Sequence, residues 1–195
     1  MTKRQPRQQQ VRIQGGSLRG RAIDAPPGLD VRPTAARTRE ALFNLLLHGG
    51  HGTDGGNILA GAHVADLCCG TGALAFEALS RGAGSAVLVD RDHRTLDLAH
   101  QNAAKLGLEA HCTFLAINLP GAVSGGPFQA VFLDPPYEEG LTVPVLEAML
   151  RTGAIVAGSI VCAETGAREQ LEIPSAMTLV DERTYGAARL HILRV

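Results

Sequence analysis

A hydrophobic run in the second half of the chain ends in an acidic residue, two prolines and a tyrosine. The stretch reads VFLDPPYEEG and spans residues 131–140. Pro135 and Pro136 have fixed φ angles and no N–H donors, so their carbonyls are held at a rigid corner beside the carboxylate of Asp134. Such converging acceptors suit a planar NH₂ group, and the ring of Tyr137 offers a surface on which a base can stack. The stretch predicts a site that presents an exocyclic amine to an electrophile. Taken alone, it also fits a packed Pro-Pro turn.

A second group of polar residues lies upstream, in ADLCCGTGALA (residues 65–75). Gly70 and Gly72 allow a tight turn and close approach of the backbone to a ligand at a helix N-terminus. The next predicted strand ends at Asp90, 18 residues beyond Gly72, where a carboxylate can accept both hydroxyls of a ribose. Asp66 precedes the glycines, where a negative charge favours an amine and a sulfonium over a pyrophosphate. We therefore expect S-adenosylmethionine as the cofactor. Capping of the glycine turn by Asp66 is an alternative role that is compatible with this one.

Predicted strands and helices alternate from residue 63 onward, which indicates a mostly parallel sheet covered by helices on both faces. The last segment, MTLVDERTYGAARLHILRV, predicts two strands joined near Gly186 that add an antiparallel hairpin. Ligands of such sheets bind beyond the carboxyl ends of the strands. Asp66, Asp90 and Asp134 are each expected at a strand end, so they should face one crevice.

Charge divides the chain into two unequal parts. Residues 1–40 contain nine Lys and Arg against three acidic residues, a net charge of +6, whereas the remainder carries −7. This division predicts a basic appendage that binds a polyanion, although a solvated tail would explain residues 1–10 equally well. We predict a disordered tail over residues 1–10, an RNA-binding extension made of a hairpin and a helix over residues 11–50, and the main domain over residues 51–195.

Several classes of protein are disfavoured by composition. No apolar run approaches the roughly 20 residues of a membrane span, and no apolar stretch follows the basic N-terminus as it would in a secretion signal. The four cysteines lack metal-ligand spacing and are expected to be reduced thiols. These features predict a cytoplasmic protein without a metal, and we expect a monomer.

The motifs together resemble a known family. DPPY is similar to the [DNS]-PP-[YFW] motif of class I methyltransferases that act on exocyclic or amide nitrogens, and DLCCGTG is similar to their cofactor loop. In addition, RIQGGSLRGRAI, RPTAARTREALFNLL, DLCCGTGALAFEALSRGA and FLDPPY follow the order and spacing of bacterial small-subunit ribosomal RNA guanine-N2 methyltransferases. The resemblance covers residues 11–195. The chain departs from it at Cys68 and Cys69, which replace the middle of the usual DLFAGSG loop, and in the weakly polar segment around Asn118.

The resemblance implies a Rossmann-like class I methyltransferase with a seven-stranded sheet. Its target would be a guanine 2-amino group in ribosomal RNA, either free or in the small-subunit particle. It implies that the methionine part of the cofactor lies near Asp66, Gly70 and Gly72, the ribose near Asp90, and the adenine near Asn118. The guanine would be held by Asp134, Pro135, Pro136 and Tyr137. The arginines expected to contact RNA are Arg12, Arg19, Arg21, Arg32 and Arg37.

Other functions stay open at this point. A DNA adenine or cytosine amino-methyltransferase shares DPPY, and a protein-glutamine methyltransferase has a similar motif, but neither explains the arginine-rich segment as well. A nicotinamide-dependent oxidoreductase would need a catalytic acid and a second cofactor loop. A nucleic-acid-binding protein without activity would have no need for Gly70, Gly72, Asp90 and Asp134 together.

Overall fold

The computed structural model describes residues 10–26, 33–50, 56–137 and 139–195. The predicted tail, apart from Gln10, and the predicted RNA contact Arg32 lie outside the described residues.

The described residues form nine strands in two sheets. The short sheet pairs β1 (Gln10–Arg12) with β2 (Ala22–Asp24). The large sheet contains β3 (His63–Leu67), β4 (Ser85–Asp90), β5 (Cys112–Ala116), β6 (Ala130–Leu133), β7 (Ile160–Gly166), β8 (Thr178–Tyr185) and β9 (Ala188–Arg194). Its spatial order is β5-β4-β3-β6-β7-β9-β8, and only the pairs made by β9 are antiparallel. The predicted mostly parallel seven-stranded sheet with a C-terminal antiparallel hairpin is therefore confirmed.

In the described part of the chain, four α-helices cover the two faces of the large sheet. They are α1 (Pro33–His48), α2 (Ala73–Ser80), α3 (His93–Leu106) and α4 (Thr142–Thr152). On one face Phe43 of α1 and Phe76 of α2 pack with Phe132 of β6 in a common core. On the other face Leu146 and Met149 of α4 pack in a second core. Because both faces are covered, the central strands are continuous apolar runs rather than alternating ones.

The predicted N-terminal hairpin forms, and it packs tightly against α2. Val11 pairs with Ile23 in antiparallel register, and Ile13 and Ile23 belong to the same core as the helices. Gly16 has φ +78°, and a Cβ there would lie 1.9 Å from the carbonyl oxygen of Ser80. This close approach requires glycine, and it allows the Ser17 N–H to donate to the same oxygen at 2.8 Å.

A buried carboxylate joins the hairpin, α1 and α2. Glu77 has no exposed surface. It pairs with Arg39 of α1 at 3.1 Å and with Arg81 one turn further along, and it accepts the Gln14 N–H at 2.7 Å. Arg81 also lies over the ring of Phe43, 4.5 Å from its centre. Arg39 contributes to the N-terminal positive charge in the sequence, but its charge is balanced inside the protein.

Replacing Glu77 with Ala should lower the free energy of unfolding by about 3–5 kcal/mol, because two largely buried arginines would lose their counter-charge. Urea denaturation measures this change. The matched control is Asp181→Ala, which removes an ion pair with the solvent-exposed Arg183 and should cost less than about 1 kcal/mol. Equal losses in the two variants would show that Glu77 does not hold the extension in place.

None of the described helices combines the length and the apolar character needed to cross a lipid bilayer. The four cysteines are all free thiols.

Candidate active site

Three carboxylates meet because their strands are neighbours in the sheet. In the register of β3 with β4 and β6, Asp66 lies opposite Leu88 and Phe132. Asp90 ends β4. Asp134 follows β6, and its N–H donates to the carbonyl oxygen of Leu67 at 3.4 Å. The acids expected to face one crevice are thus brought to the same edge of the sheet.

The loop between β3 and α2 depends on left-handed backbone conformations. Gly70 has φ +53° and Gly72 has φ +79°, and Cys68 adopts φ +59° without being glycine. A Cβ at Gly72 would lie 2.6 Å from the ring of Phe76, so this position acts through close packing. At Gly70 a Cβ would meet only the carbonyl of Cys68, at 4.0 Å. The peptide at Gly70 is therefore open to a ligand, and its N–H is fixed by a 3.1 Å bond to Asp90 Oδ2.

Asp66 caps the helix that follows the loop. Its side chain is buried, and Oδ2 accepts the Ala75 N–H at 2.9 Å. Burial raises the pKa of Asp66 well above its usual value, and the charges of Asp134 and Asp90 raise it further, whereas the bond from Ala75 lowers it. The capping role considered for Asp66 is thus realised. Because the neighbouring carboxylates disfavour the ionised form, a cationic ligand group would relieve their repulsion.

The first cavity, with a volume of about 610 Å³, opens beyond β4, β5 and β6. Its lining includes Asp90, Ile117, Asn118, Leu119, Asp134 and Tyr137. Asp90 is held by two bonds, since Oδ2 accepts Gly70 N–H and Oδ1 accepts Asp92 N–H at 3.1 Å. This end suits a ribose, and the apolar side chains on both sides of Asn118 suit a purine ring.

The second cavity, with a volume of about 490 Å³, lies between the glycine loop, α1 and the turn that joins β8 to β9. Its lining includes Asp66, Gly70, Asp134, Tyr137, Glu164 and Tyr185. Cys68, Asp134 and Tyr137 line both cavities. The DPPY corner is therefore the place where the two cavities meet.

Asp134 lies at this junction with a perturbed pKa. It is reached by solvent through the cleft, but the surrounding protein removes enough water to raise its pKa to about 7, with a further contribution from the charge of Glu164. The Tyr137 hydroxyl donates to Glu164 Oε1. Burial also raises the pKa of Glu164, while the bond from Tyr137 lowers it.

Two lining residues, Glu164 and Tyr185, were absent from the predicted site. The sequence does contain a pattern that points to Glu164. This residue ends the apolar run SIVCAE in the same way that Asp134 ends the apolar run QAVFLD. Its position beside Asp134 depends on β7 being the neighbour of β6. Tyr185 has no local signal, since it reaches the cavity only through the pairing of β8 with β9.

The arginines predicted to contact RNA differ in their surroundings. Arg12 donates to the carbonyl oxygen of Gly20 at 3.0 Å, and Arg21 donates to that of Lys105 at 2.7 Å. Both are exposed, as are Arg19 and Arg37. A guanidinium has five N–H donors, so one internal bond leaves Arg12 and Arg21 able to contact phosphates while it restrains their position.

Comparison with known proteins assigns the chain to a family. A family model described as Conserved hypothetical protein 95 matches residues 11–194. The chain belongs to this family. Ribosomal RNA small subunit methyltransferase D of Escherichia coli is 31% identical over 180 residues, covering 91% of this chain and 86% of the relative. A protein of Bacillus subtilis described as rRNA methyltransferase YlbH is 29% identical over 192 residues, covering 94% of this chain and 98% of the relative.

Solved structures agree with the assignment. A protein of Escherichia coli described as methyltransferase yhhF has a TM-score of 0.82 at 27% identity, covering 95% of this chain and 98% of its own. A protein of Haemophilus influenzae described as methylase HI0767 has a TM-score of 0.74 at 26% identity, and it also covers 95% of this chain and 98% of its own. These findings confirm the class I methyltransferase fold and the resemblance to bacterial small-subunit ribosomal RNA methyltransferases.

The expected cofactor, S-adenosylmethionine, is confirmed at the level of the family. The residues of this chain also fit it. Three carboxylates around the glycine loop match a cationic amine and sulfonium, the open peptide at Gly70 allows close approach, and the restrained Asp90 matches a ribose. The individual contacts stay predictions.

Replacing Asp90 with Ala should weaken binding of S-adenosylhomocysteine by about 10- to 100-fold, because hydrogen bonds to a charged group contribute roughly 1.5–3 kcal/mol. Titration calorimetry measures the affinity. Asp97→Ala, on the exposed side of α3, is the control and should bind as the wild type does. Tighter binding of NAD than of S-adenosylhomocysteine by the wild type would contradict the cofactor assignment.

Proposed function

We propose that this protein transfers a methyl group from S-adenosylmethionine to the exocyclic 2-amino group of a guanine in small-subunit ribosomal RNA. The observation that carries the proposal is the DPPY corner at the junction of two cavities, one suited to an adenosine and the other bounded by two tyrosines. The resemblance of the motifs supports guanine N2 as the target, and the names of the relatives support ribosomal RNA as the substrate.

The cofactor residues divide along the crevice. Asp90 accepts hydrogen bonds from the ribose hydroxyls, and the segment around Asn118 contacts the adenine. Asp66 and Gly70 lie near the methionine part, and Gly72 keeps the loop close to α2. S-adenosylmethionine, when bound, supplies an electrophilic methyl group on a positively charged sulfur.

Asp134 and Tyr137 prepare the amine. The Asp134 carboxylate and the proline carbonyls accept the two N–H protons of the 2-amino group and so aim its lone pair, while the Tyr137 ring stacks on the base. Holding the reacting groups in this geometry supplies most of the rate, because it removes the entropic cost of their encounter. No strong base is needed, since the amine becomes acidic as it gains a bond.

The proton released from the amine passes to Asp134. A pKa raised to about 7 makes this carboxylate a better proton acceptor than an ordinary aspartate near neutral pH. The acidic groups around it are Glu164 on β7, Asp66 on β3 and Asp90 on β4. The raised pKa favours the protonated form of Asp134 at mildly acidic pH, so methyl transfer should be slower on the acidic side.

We further propose that residues 11–50 bind RNA. One extruded base contains too little information to select one site in a large RNA, so contacts to the phosphate backbone must add affinity. Exposed arginines on the hairpin and α1 are held in place by the docking of both elements on α2. A restrained cation loses less conformational entropy on binding than one on a flexible tail.

Deleting the gene should remove N2-methylguanosine from one position of small-subunit ribosomal RNA, and a plasmid copy should restore it. A copy carrying Asp134→Ala should not restore it, because the amine loses its acceptor. Nucleoside mass spectrometry of RNA fragments measures the modification. An unchanged level of N2-methylguanosine in the deletion strain, or full restoration by Asp134→Ala, would contradict the proposed function.

Replacing Arg19, Arg21 and Arg37 together with Ala should weaken RNA binding and reduce the slope of log affinity against log salt by about 2, because each phosphate contact contributes roughly 0.7–0.9 to that slope. Fluorescence anisotropy with small-subunit ribosomal RNA over a range of salt concentrations measures both quantities. The matched control replaces Arg151, Arg168 and Arg183, which are also exposed. Equal slopes in the two triple variants would mean that the N-terminal arginines face solvent only.

A further inference from the structure

Outside the glycine loop, the lining of the second cavity includes aromatic and acidic residues. The chain has two tyrosines, and both Tyr137 and Tyr185 line this cavity. Glu164 also lines this cavity, and it lies on β7, the strand next to the one that leads to Asp134. A cavity with two aromatic rings and a carboxylate has the composition of a pocket for an extruded base, which is typically read by stacking and by hydrogen bonds to its Watson–Crick edge.

Glu164 is fixed within this pocket. In the register of β6 with β7, Leu133 lies opposite Ala163. Asp134 and Glu164 are the next residues along the chain from this pair, so they lie beside each other. Glu164 Oε1 accepts the Tyr137 hydroxyl. A carboxylate has about four acceptor sites, so this bond leaves capacity for a further donor. The charge of Glu164 contributes to the raised pKa of Asp134, as expected for two carboxylates at short range.

Two adjacent acceptors match one base better than the others. On the Watson–Crick edge of guanine the 2-amino group and N1–H are neighbouring donors. Adenine and cytosine each place a ring nitrogen lone pair beside the exocyclic amine. A second carboxylate next to the one that holds the amine would therefore accept a hydrogen bond from guanine, and it would face a repelling lone pair in either of the other two bases.

We propose that Glu164 accepts a hydrogen bond from N1–H of the target guanine and so selects guanine over bases that have an unprotonated nitrogen at this position. The proposal rests on the function proposed above and adds the residue that determines base specificity. Asp134 holds the reacting amine, Glu164 holds the neighbouring N1–H, and Tyr137 and Tyr185 bound the base. The bond from Tyr137 keeps the Glu164 carboxylate in the orientation that this contact needs.

The test compares two residues at position 164 with two bases at the target position. The variant is Glu164→Gln, which keeps the size of the side chain and adds an N–H donor. The substrates are small-subunit ribosomal RNAs assembled by ligation, with ribosomal proteins added if the wild type requires them. They carry guanine or 2-aminopurine at the methylated nucleotide, and 2-aminopurine retains the 2-amino group but has a lone pair at N1. The measured quantity is kcat/KM for methyl transfer in all four combinations.

The wild type should prefer guanine over 2-aminopurine by roughly a hundredfold or more, because a site that accepts a hydrogen bond rejects the analogue that cannot donate it. Glu164→Gln should reduce that preference at least tenfold, since its amide can donate to the N1 lone pair. Glu147→Gln, on the exposed side of α4, makes the same chemical change away from the cavity and should keep the wild-type preference.

A Glu164→Gln variant that loses activity on both substrates by the same factor would overturn the inference, because Glu164 would then act only by positioning Tyr137. Thermal unfolding of the variant separates either result from a folding defect. If the wild type forms N2-methylguanosine and the preference does not change, the inference alone fails. If the wild type does not form N2-methylguanosine, the proposed function fails with it.

Discussion

The buried carboxylate of Glu77 joins the elements that would bind the RNA to the helix that follows the cofactor loop. It pairs with Arg39 and Arg81 and accepts the Gln14 N–H, so the hairpin, α1 and α2 meet at one charged group. α2 begins at the glycine loop, and α1 supplies Arg39 and Leu42 to a wall of the second cavity. Removing one partner of a buried ion pair strongly destabilises a protein. The shape of the cavity therefore depends on Glu77, although Glu77 does not line the cavity.

The order of the central strands explains why four acidic side chains lie together in the crevice. β3 lies between β4 and β6, and β7 lies beyond β6, so the acids near the carboxyl ends of four adjacent strands are placed side by side. Asp90 faces one cavity, Asp66 and Glu164 face the other, and Asp134 faces both. Burial raises the pKa values of Asp66 and Asp134, and the charges of neighbouring carboxylates raise them further. The same repulsion favours a cationic cofactor beside the glycine loop and the N–H groups of a base beside Asp134 and Glu164.

Local patterns in the sequence predicted the sheet, the glycine loop and the DPPY corner, because each depends on residues close together in the chain. Strand order is decided by distant contacts, and this is why Glu164 was not placed beside Asp134 and why Tyr185 was not assigned to the cavity. Arg39 also counts toward the positive charge of residues 1–40, from which a binding face is predicted. Its burial against Glu77, 38 residues away, could not be read from charge alone. The capping role considered for Asp66 is visible in the structure as the bond that it accepts from the Ala75 N–H, whereas its contact with the cofactor stays a prediction.

The two cavities meet at Asp134 and Tyr137, and a bisubstrate ligand tests whether both can be occupied at once. Such a ligand joins the sulfur-bearing end of an S-adenosylhomocysteine analogue to N2 of guanosine through a short linker. Titration calorimetry should show that it binds the wild-type protein more tightly than S-adenosylhomocysteine does, and that Tyr137→Ala removes most of this gain but leaves the affinity for S-adenosylhomocysteine nearly unchanged. A bisubstrate ligand that binds no more tightly than S-adenosylhomocysteine would show that the two cavities do not hold both groups at once.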